Sequence, residues 1–185
     1  MKPFTLTLLL TLLTACSAMK QAGVVYQTGF DFGQVNSYSM YERNSDFVEF
    51  QSINDVTRNG IEIAIEKSME KKGFSYTELD QADVIVSYHL INQTQADISQ
   101  YNKNVLYCSY CLRASNWQSE QKNWKLAPGN LIIDLVDPKT NRSVWRSVFP
   151  LDIDVEDNSR KVNGKIKSAI SAMLALYPTT EPPVL

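Results

Sequence analysis

Val84-Ile85-Val86-Ser87-Tyr88-His89-Leu90-Ile91 is the stretch whose reading decides the fold. Side chains alternate across a strand, so Val84, Val86, Tyr88 and Leu90 share one face, and Ile85, Ser87, His89 and Ile91 share the other. The first half is apolar on both faces, which places this strand centrally in a sheet. The turn residues 80–83 lead into it.

Working outward, the segment before it reads as a helix over residues 53–72. Val56, Gly60, Ile61, Ala64, Ile65 and Met69 recur near helical spacing and make one apolar face. Ser52 with Asp55 three residues on approximates a capping box. Lys71 and Lys72 complement the dipole of the last turn, and Gly73 is placed to end the helix. Gly60 inside a helix costs about 1 kcal/mol against Ala, which implies either close backbone packing or plain sequence drift. Nearer the N-terminus, residues 23–28 read as a first strand, residues 29–33 turn the chain, and residues 38–41 form a second strand.

On the C-terminal side, residues 131–136 and 143–149 form a hairpin around Asp137-Pro138-Lys139-Thr140-Asn141. Two registers are open. One sets Asp134 opposite Arg146, where the two could pair; the other sets it opposite Trp145. Residues 151–156 alternate strictly, with Leu151, Ile153 and Val155 against Asp152, Asp154 and Glu156, as an edge strand does. Asn158 or Ser159 then caps a second helix, which buries Val162, Ile166, Ala169, Ile170, Met173 and Tyr177 and ends at Pro178. The expected class is α+β: a two-layer sandwich of a mixed or antiparallel sheet with both helices packed on one face.

Residues 92–128 interrupt this order. They are polar yet carry Tyr101, Tyr107, Tyr110, Trp117 and Trp124 with Cys108 and Cys111, and residues 105–112 read as a strand. An insertion of this length without periodicity is commonly functional or disordered, and the aromatics argue against disorder. Tyr107, Tyr110, Trp117 and Trp124 are candidate partner-binding residues; alternatively they fold back over the open face of the sheet.

The leader is a separate matter. Lys2 precedes an apolar run over residues 4–13, too short to span a bilayer and placed where a cleaved export signal belongs. It ends in Leu13-Thr14-Ala15-Cys16, which resembles the lipobox of bacterial lipoproteins. The resemblance implies removal of residues 1–15, lipidation of Cys16 and a membrane anchor, at about 0.8 kcal/mol per buried CH₂. Residues 16–22 are then a lipidated tether, 23–178 a single domain and 179–185 a tail. Ser17 rather than Asp after the cysteine favours the outer membrane by resemblance to Gram-negative sorting.

Removing Lys2 with the leader leaves 17 basic against 20 acidic residues, a net of −3, which gives no reason to expect nucleic acid as a partner. With Cys16 lipidated, Cys108 and Cys111 remain as a pair in an oxidising compartment. A local disulfide, a thiol-redox pair and half of a zinc site are the three readings; a redox site wants a helix after the first cysteine, and none is signalled. His89 is the only histidine and sits mid-strand, as a structural histidine does, so no catalytic residue is assigned. Asp152, Asp154, Glu156 and Asp157 lack the glycine and distal glutamate of a calcium loop, so no metal ligand is assigned either. No cofactor motif is present, and none is expected.

Asp31-Phe32 with Tyr38, Lys72-Gly73-Phe74, residues 82–88, residues 129–137 and Val144-Trp145-Arg146 stand in an order that resembles the bacterial lipoprotein family carrying domain of unknown function 4136. Met40, Ser147 and the Cys108–Cys111 pair depart from its pattern. The resemblance implies an envelope α+β domain and brings no activity. The expectation is a lipid-anchored cell-envelope protein of a binding or accessory class, facing the periplasm and meeting a protein, glycan or lipid. An envelope enzyme or thiol-redox protein using Cys108 and Cys111 is the alternative.

Overall fold

The computed structural model describes residues 22–41, 53–91, 95–107, 117–120 and 126–178, with the backbone alone for 95–97 and 117–120. Its strands are β1 (Gly23–Gln27), β2 (Ser37–Met40), β3 (Ser75–Tyr76), β4 (Val84–Leu90), β5 (Trp117–Glu120), β6 (Asn130–Asp137) and β7 (Arg142–Pro150). They form one mixed sheet in the order β3-β2-β4-β6-β7-β1-β5. β2 runs parallel to β3 and β4, and the pairings from β4 through β6, β7 and β1 to β5 are antiparallel. The helices are α1 (Asp55–Lys71), α2 (Gln95–Asn104) and α3 (Ser159–Leu174).

The alternation of β4 sorts its residues as the pattern requires. Val84, Val86 and Tyr88 join Leu131, Ile133 and Leu135 of β6 in a core closed by Ile61, Ala64, Ile65 and Met69 of α1 and by Ile166, Ala169, Ile170 and Met173 of α3. Both expected helices therefore cover one face. Ile85 of β4 and Ile132, Val136 and Val148 of the hairpin point the other way, where Tyr101 and Val105 from the insertion cover them. The α+β class stands, and α2 adds a partial third layer that the sequence pattern did not signal as a helix.

Local chemistry fixes the element ends. Asn54 caps α1 by accepting from the Thr57 N–H at 2.9 Å, so the start lies two residues beyond the expected Ser52 box. Gly73, at φ +89°, closes the helix with its N–H on the Glu70 carbonyl. Asn158 caps α3 through the Lys161 N–H. Between β3 and β4, Asp83 Oδ2 accepts from the Asn36 and Ser37 N–H groups, both at 2.9 Å, and from Ser37 Oγ at 2.8 Å. The Asn36 amide first, and Ser37 with it, hold the Asp83 carboxyl below its ordinary range. This knot joins the starts of two parallel strands that no hairpin could join.

Three expectations fail here. Residues 151–156 do not form a strand: β7 itself runs on to Pro150, and the chain then leaves the sheet in a loop, with Asp152 at φ +45° and both Ile153 and Val155 exposed. Residues 105–107 follow the end of α2 and are not strand, while 108–112 lie outside the described residues. Val56 is exposed, whereas Arg58 is buried and reaches the Tyr88 hydroxyl at 3.5 Å.

Gly60 is where α1 meets α3. A Cβ placed there would lie 2.7 Å from Asn163 Oδ1 and 3.4 Å from Ile166 Cδ1. Because the nearest atom ends a rotatable side chain, Gly60→Ala should change stability by less than about 1 kcal/mol, helix propensity offsetting the shift of Asn163. Gly60→Leu has no such outlet and should cost about 1–3 kcal/mol in urea unfolding.

Tyrosines in the same core set the alkaline limit. Burial, then the nearby Glu66 charge, pushes the Tyr38 phenol up to about 12, and burial likewise raises Tyr88 and Tyr177. A phenol whose folded pKa exceeds its unfolded value contributes stability that is complete below the unfolded pKa and is lost as pH rises through the folded one. Urea unfolding should therefore show stability falling as pH rises from about 10 to about 12, and Tyr38→Phe should flatten that fall.

Candidate functional site

The face under α2 holds the most unusual chemistry in the described residues, an ion pair with neither side chain exposed. Its geometry begins at the hairpin turn. Asp137 Oδ1 and Oδ2 accept from Lys139 N–H at 3.0 Å and Thr140 Oγ1 at 2.8 Å, and Asn141 adopts φ +54°. The turn pairs Asp137 with Arg142 and Val136 with Ser143. Continued without interruption, that register would set Asp134 opposite Trp145. An irregularity between Leu135 and Val136 instead pairs Leu135 with Trp145 and Asp134 with Arg146. The extra residue on β7 is Val144.

This bulge settles which residues meet. Three residues apart on a regular strand, Ser143 and Arg146 would point to opposite faces. Here both bond Asp134, while Val144 and Trp145, though adjacent, both enter the core under α1 and α3. Arg146 donates from Nε to Asp134 Oδ1 at 2.9 Å and from Nη2 to Oδ2 at 2.9 Å, a two-pronged pairing of planar groups. Ser143 Oγ also donates to Oδ1, and the Tyr101 hydroxyl to Oδ2 at 2.8 Å. The remaining Arg146 nitrogen, Nη1, donates to Asn102 Oδ1 at 2.7 Å.

Two tyrosines from the insertion complete the enclosure. The Arg146 guanidinium carbon lies 3.5 Å from the centre of the Tyr107 ring and 5.5 Å from that of Tyr101, within range of cation–π attraction. Tyr101 is fully buried, touches Ser87 Oγ at 3.1 Å and stacks on His89 at 4.8 Å between ring centres. A backbone bond from Ser143 N to the Val105 carbonyl, 2.8 Å, ties the end of α2 to the bulge.

Electrostatics follow from this packing. Burial alone would lower the Arg146 pKa, but the Asp134 charge and its hydrogen bonds outweigh it, so the guanidinium is held above its ordinary range. Burial, then the Asp134 charge, raises the Tyr101 phenol well above its usual value, and burial raises Tyr107 and Tyr41 too. Every neighbouring phenol therefore stays neutral and able to donate at physiological pH. The arrangement holds a permanent charge pair and gives it no exposed atom with which to react.

The expected site residues divide accordingly. Tyr107 is brought to the ion pair, facing inward. Trp117 lies on β5, paired through its backbone with Gln27 at the sheet edge. Cys16, Cys108, Cys111, Tyr110 and Trp124 lie outside the described residues. His89 is buried in mid-strand under the Tyr101 ring. Of the four acids after Leu151, Asp154 and Asp157 receive the Lys165 ammonium, at 3.2 and 2.5 Å, and Asp157 also receives Lys161 at 2.5 Å. The protein's own cations occupy that cluster, and no group of three metal-binding side chains stands together among the described residues. Tyr101, Asn102 and Ser143 were not expected; the spacing Ile98, Tyr101, Val105 was the one available signal for a helical face.

Breaking such a pair leaves an uncompensated buried charge, which costs about 3–5 kcal/mol. Asp134→Asn should therefore lower urea-unfolding stability by that order. The double variant Asp134→Leu with Arg146→Met should recover most of the loss, because it removes both charges. A double-variant loss equal to the sum of the losses in Asp134→Leu and Arg146→Met alone would mean the pair is not coupled.

The model of the family described as domain of unknown function DUF4136 matches residues 23–179. Among solved structures, the chain is similar to a DUF4136 family protein (BT2437) from Bacteroides thetaiotaomicron, with 16% identity and TM-score 0.56 over 88% of this chain and 98% of that one. It shares 17% identity with a PDZ domain protein from Parabacteroides distasonis, TM-score 0.46, over 88% of this chain and 37% of that one. It shares 10% with a PelC dodecamer variant from Paraburkholderia phytofirmans, TM-score 0.35, over 76% and 87%. No curated protein sequence matches. The family match spans the whole described domain, including the bulged hairpin and the helices on both faces, and the chain belongs to the DUF4136 family.

Proposed function

We propose that this chain is a lipid-anchored protein of the bacterial envelope, of a binding or accessory class, held to the outer membrane through Cys16 and facing the periplasm. The observation that carries this reading is the position of Leu13-Thr14-Ala15-Cys16. It closes an apolar leader behind Lys2, and the family domain begins at residue 23, immediately beyond the short polar tether. A permanent anchor suits a protein that works by position rather than turnover.

The domain supports the binding class through its rigidity. A buried pair fixed by a bulge and a helix makes a scaffold that holds its rim in place. The inward use of Tyr107 against Arg146 narrows the partner-binding candidates in the insertion to Tyr110, Trp117 and Trp124. A protein, glycan or lipid of the envelope is the partner these aromatic side chains would take.

Growth with a clickable palmitate analogue tests the anchor. The wild-type chain should take up the label and fractionate with membranes. Cys16→Ser should lose the label, retain residues 1–15 and leave the lipid-modified fraction. A Cys16→Ser chain that still carried acyl label would overturn the reading.

A further inference from the structure

The two ends of the sheet differ. Gly23 opens β1 opposite Val148, close to where β7 runs out at Pro150 and β6 begins at Asn130. Leu151 N donates to the Gly129 carbonyl at 3.0 Å and joins these exits. From this end, residues 151–158 loop out to α3, carrying Ile153, 38% exposed, and Val155, wholly exposed. The opposite end holds the hairpin turn and the β3–β4 connection, with exposed Tyr76 and Leu79. Two apolar side chains held in water at a loop tip are a feature that the fold itself does not use, and burying each is worth about 1.5–3 kcal/mol.

The length of the tether selects between the ends. Cys16 precedes Gly23 by seven residues, and a chain of that length, fully extended, reaches at most about 25 Å. A lipid on Cys16 thus holds the Gly23 end of the sheet beside the bilayer. We infer that this end docks on the lipid surface, with Ile153 and Val155 dipping into it; the inference rests on the lipidation proposed above and adds the orientation of the domain.

The charges of the loop fit a zwitterionic surface. Lys165 donates to the Asp152 carbonyl and to the Asp154 and Asp157 carboxylates, and Lys161 pairs with Asp157. With Arg160 included, the four acids and three bases of residues 151–165 leave a net of −1. That is too little to repel neutral headgroups, and it offers an anionic surface no attraction. Docking turns the β3–β4 end, with Tyr76 and Leu79, away from the membrane.

Mature lipidated chain reconstituted in vesicles of phosphatidylcholine brominated along its acyl chains provides the test. Val155→Trp and Tyr76→Trp are compared after subtracting wild-type emission, which accounts for Trp117, Trp124 and Trp145. An indole that enters the headgroup–acyl boundary should be quenched at least about twofold more at position 155 than at position 76. Equal quenching, with the protein still floating with the vesicles, overturns the orientation and leaves the anchor standing. Absence of an acyl group on Cys16 by mass overturns both. Energy transfer between copies labelled at position 155, with no bromolipid quenching there, overturns lipid docking in favour of self-association.

Discussion

Asp134 and Arg146 are both wholly removed from water, and the rest of the second face is arranged so that this can be tolerated. Desolvating two such ions costs several kcal/mol each, and their mutual attraction offsets this only when the geometry is good and the leftover donors and lone pairs are filled. Two stretches of chain, the β6–β7 hairpin and the α2 segment, meet that condition. The hairpin supplies the pair, the bulge turns Ser143 onto the same carboxylate, α2 brings Tyr101 and Asn102, and the segment after α2 lays Tyr107 over the guanidinium. An aliphatic pair at these positions would have been simpler to bury. A buried pair is demanding of register instead: a one-residue slip would strand both charges, so the pair specifies the pairing of β6 with β7.

The two faces of the sheet are thereby different materials. Under α1 and α3 the contacts are aliphatic and aromatic, with Arg58, Tyr88 and Glu62 forming a polar seam at one side. Non-directional contacts of this kind tolerate volume-conserving change. Under α2 an apolar cluster of Ile85, Ile132, Val136 and Val148 adjoins directional contacts centred on the ion pair. α2 is short, and it is held both by Ile98 and Tyr101 on the apolar cluster and by the bonds of Tyr101 and Asn102 to the pair beneath. Helix and ion pair stabilise one another, and neither is well placed alone.

Much of this is legible in the amino-acid sequence. Alternation in residues 84–91 placed the central strand and sorted its faces, and helical spacing placed α1 and α3. These are signals in which a period of two or of 3.6 repeats several times. The ion pair was half legible, because turn length narrows the register to two choices. The bulge at Val144 chooses between them, and no residue type marks it. α2 escaped because its apolar signal is a single short stripe, Ile98 and Tyr101 with Val105 just beyond its end, in an otherwise mostly polar sequence. The strand expected over residues 151–156 failed for the opposite reason. Its alternation is perfect, but β7 already supplies the last strand on that path, and a period of two without a neighbour to pair with has nothing to hold it. Leu151 stays buried, and Ile153 and Val155 stand exposed.

That exposure bears on where a function can sit. The centre of this domain is committed to holding itself together: His89, Ser87, Tyr101 and the charge pair face one another and not solvent. Among the described residues, accessible side chains lie at the rim, where the chain leaves the sheet. The rim has two unlike halves. At one lie the start of β1, the 151–158 loop and the Pro128-Gly129 turn; at the other, the Asp83 knot and the Asp137–Arg142 turn. With the anchor proposed at Cys16, a short tether entering at the first half would leave the second free for a partner, since one sheet joins the two halves. The buried charges, sealed from solvent, bear on either half only through shape, by fixing the register of the sheet that joins them.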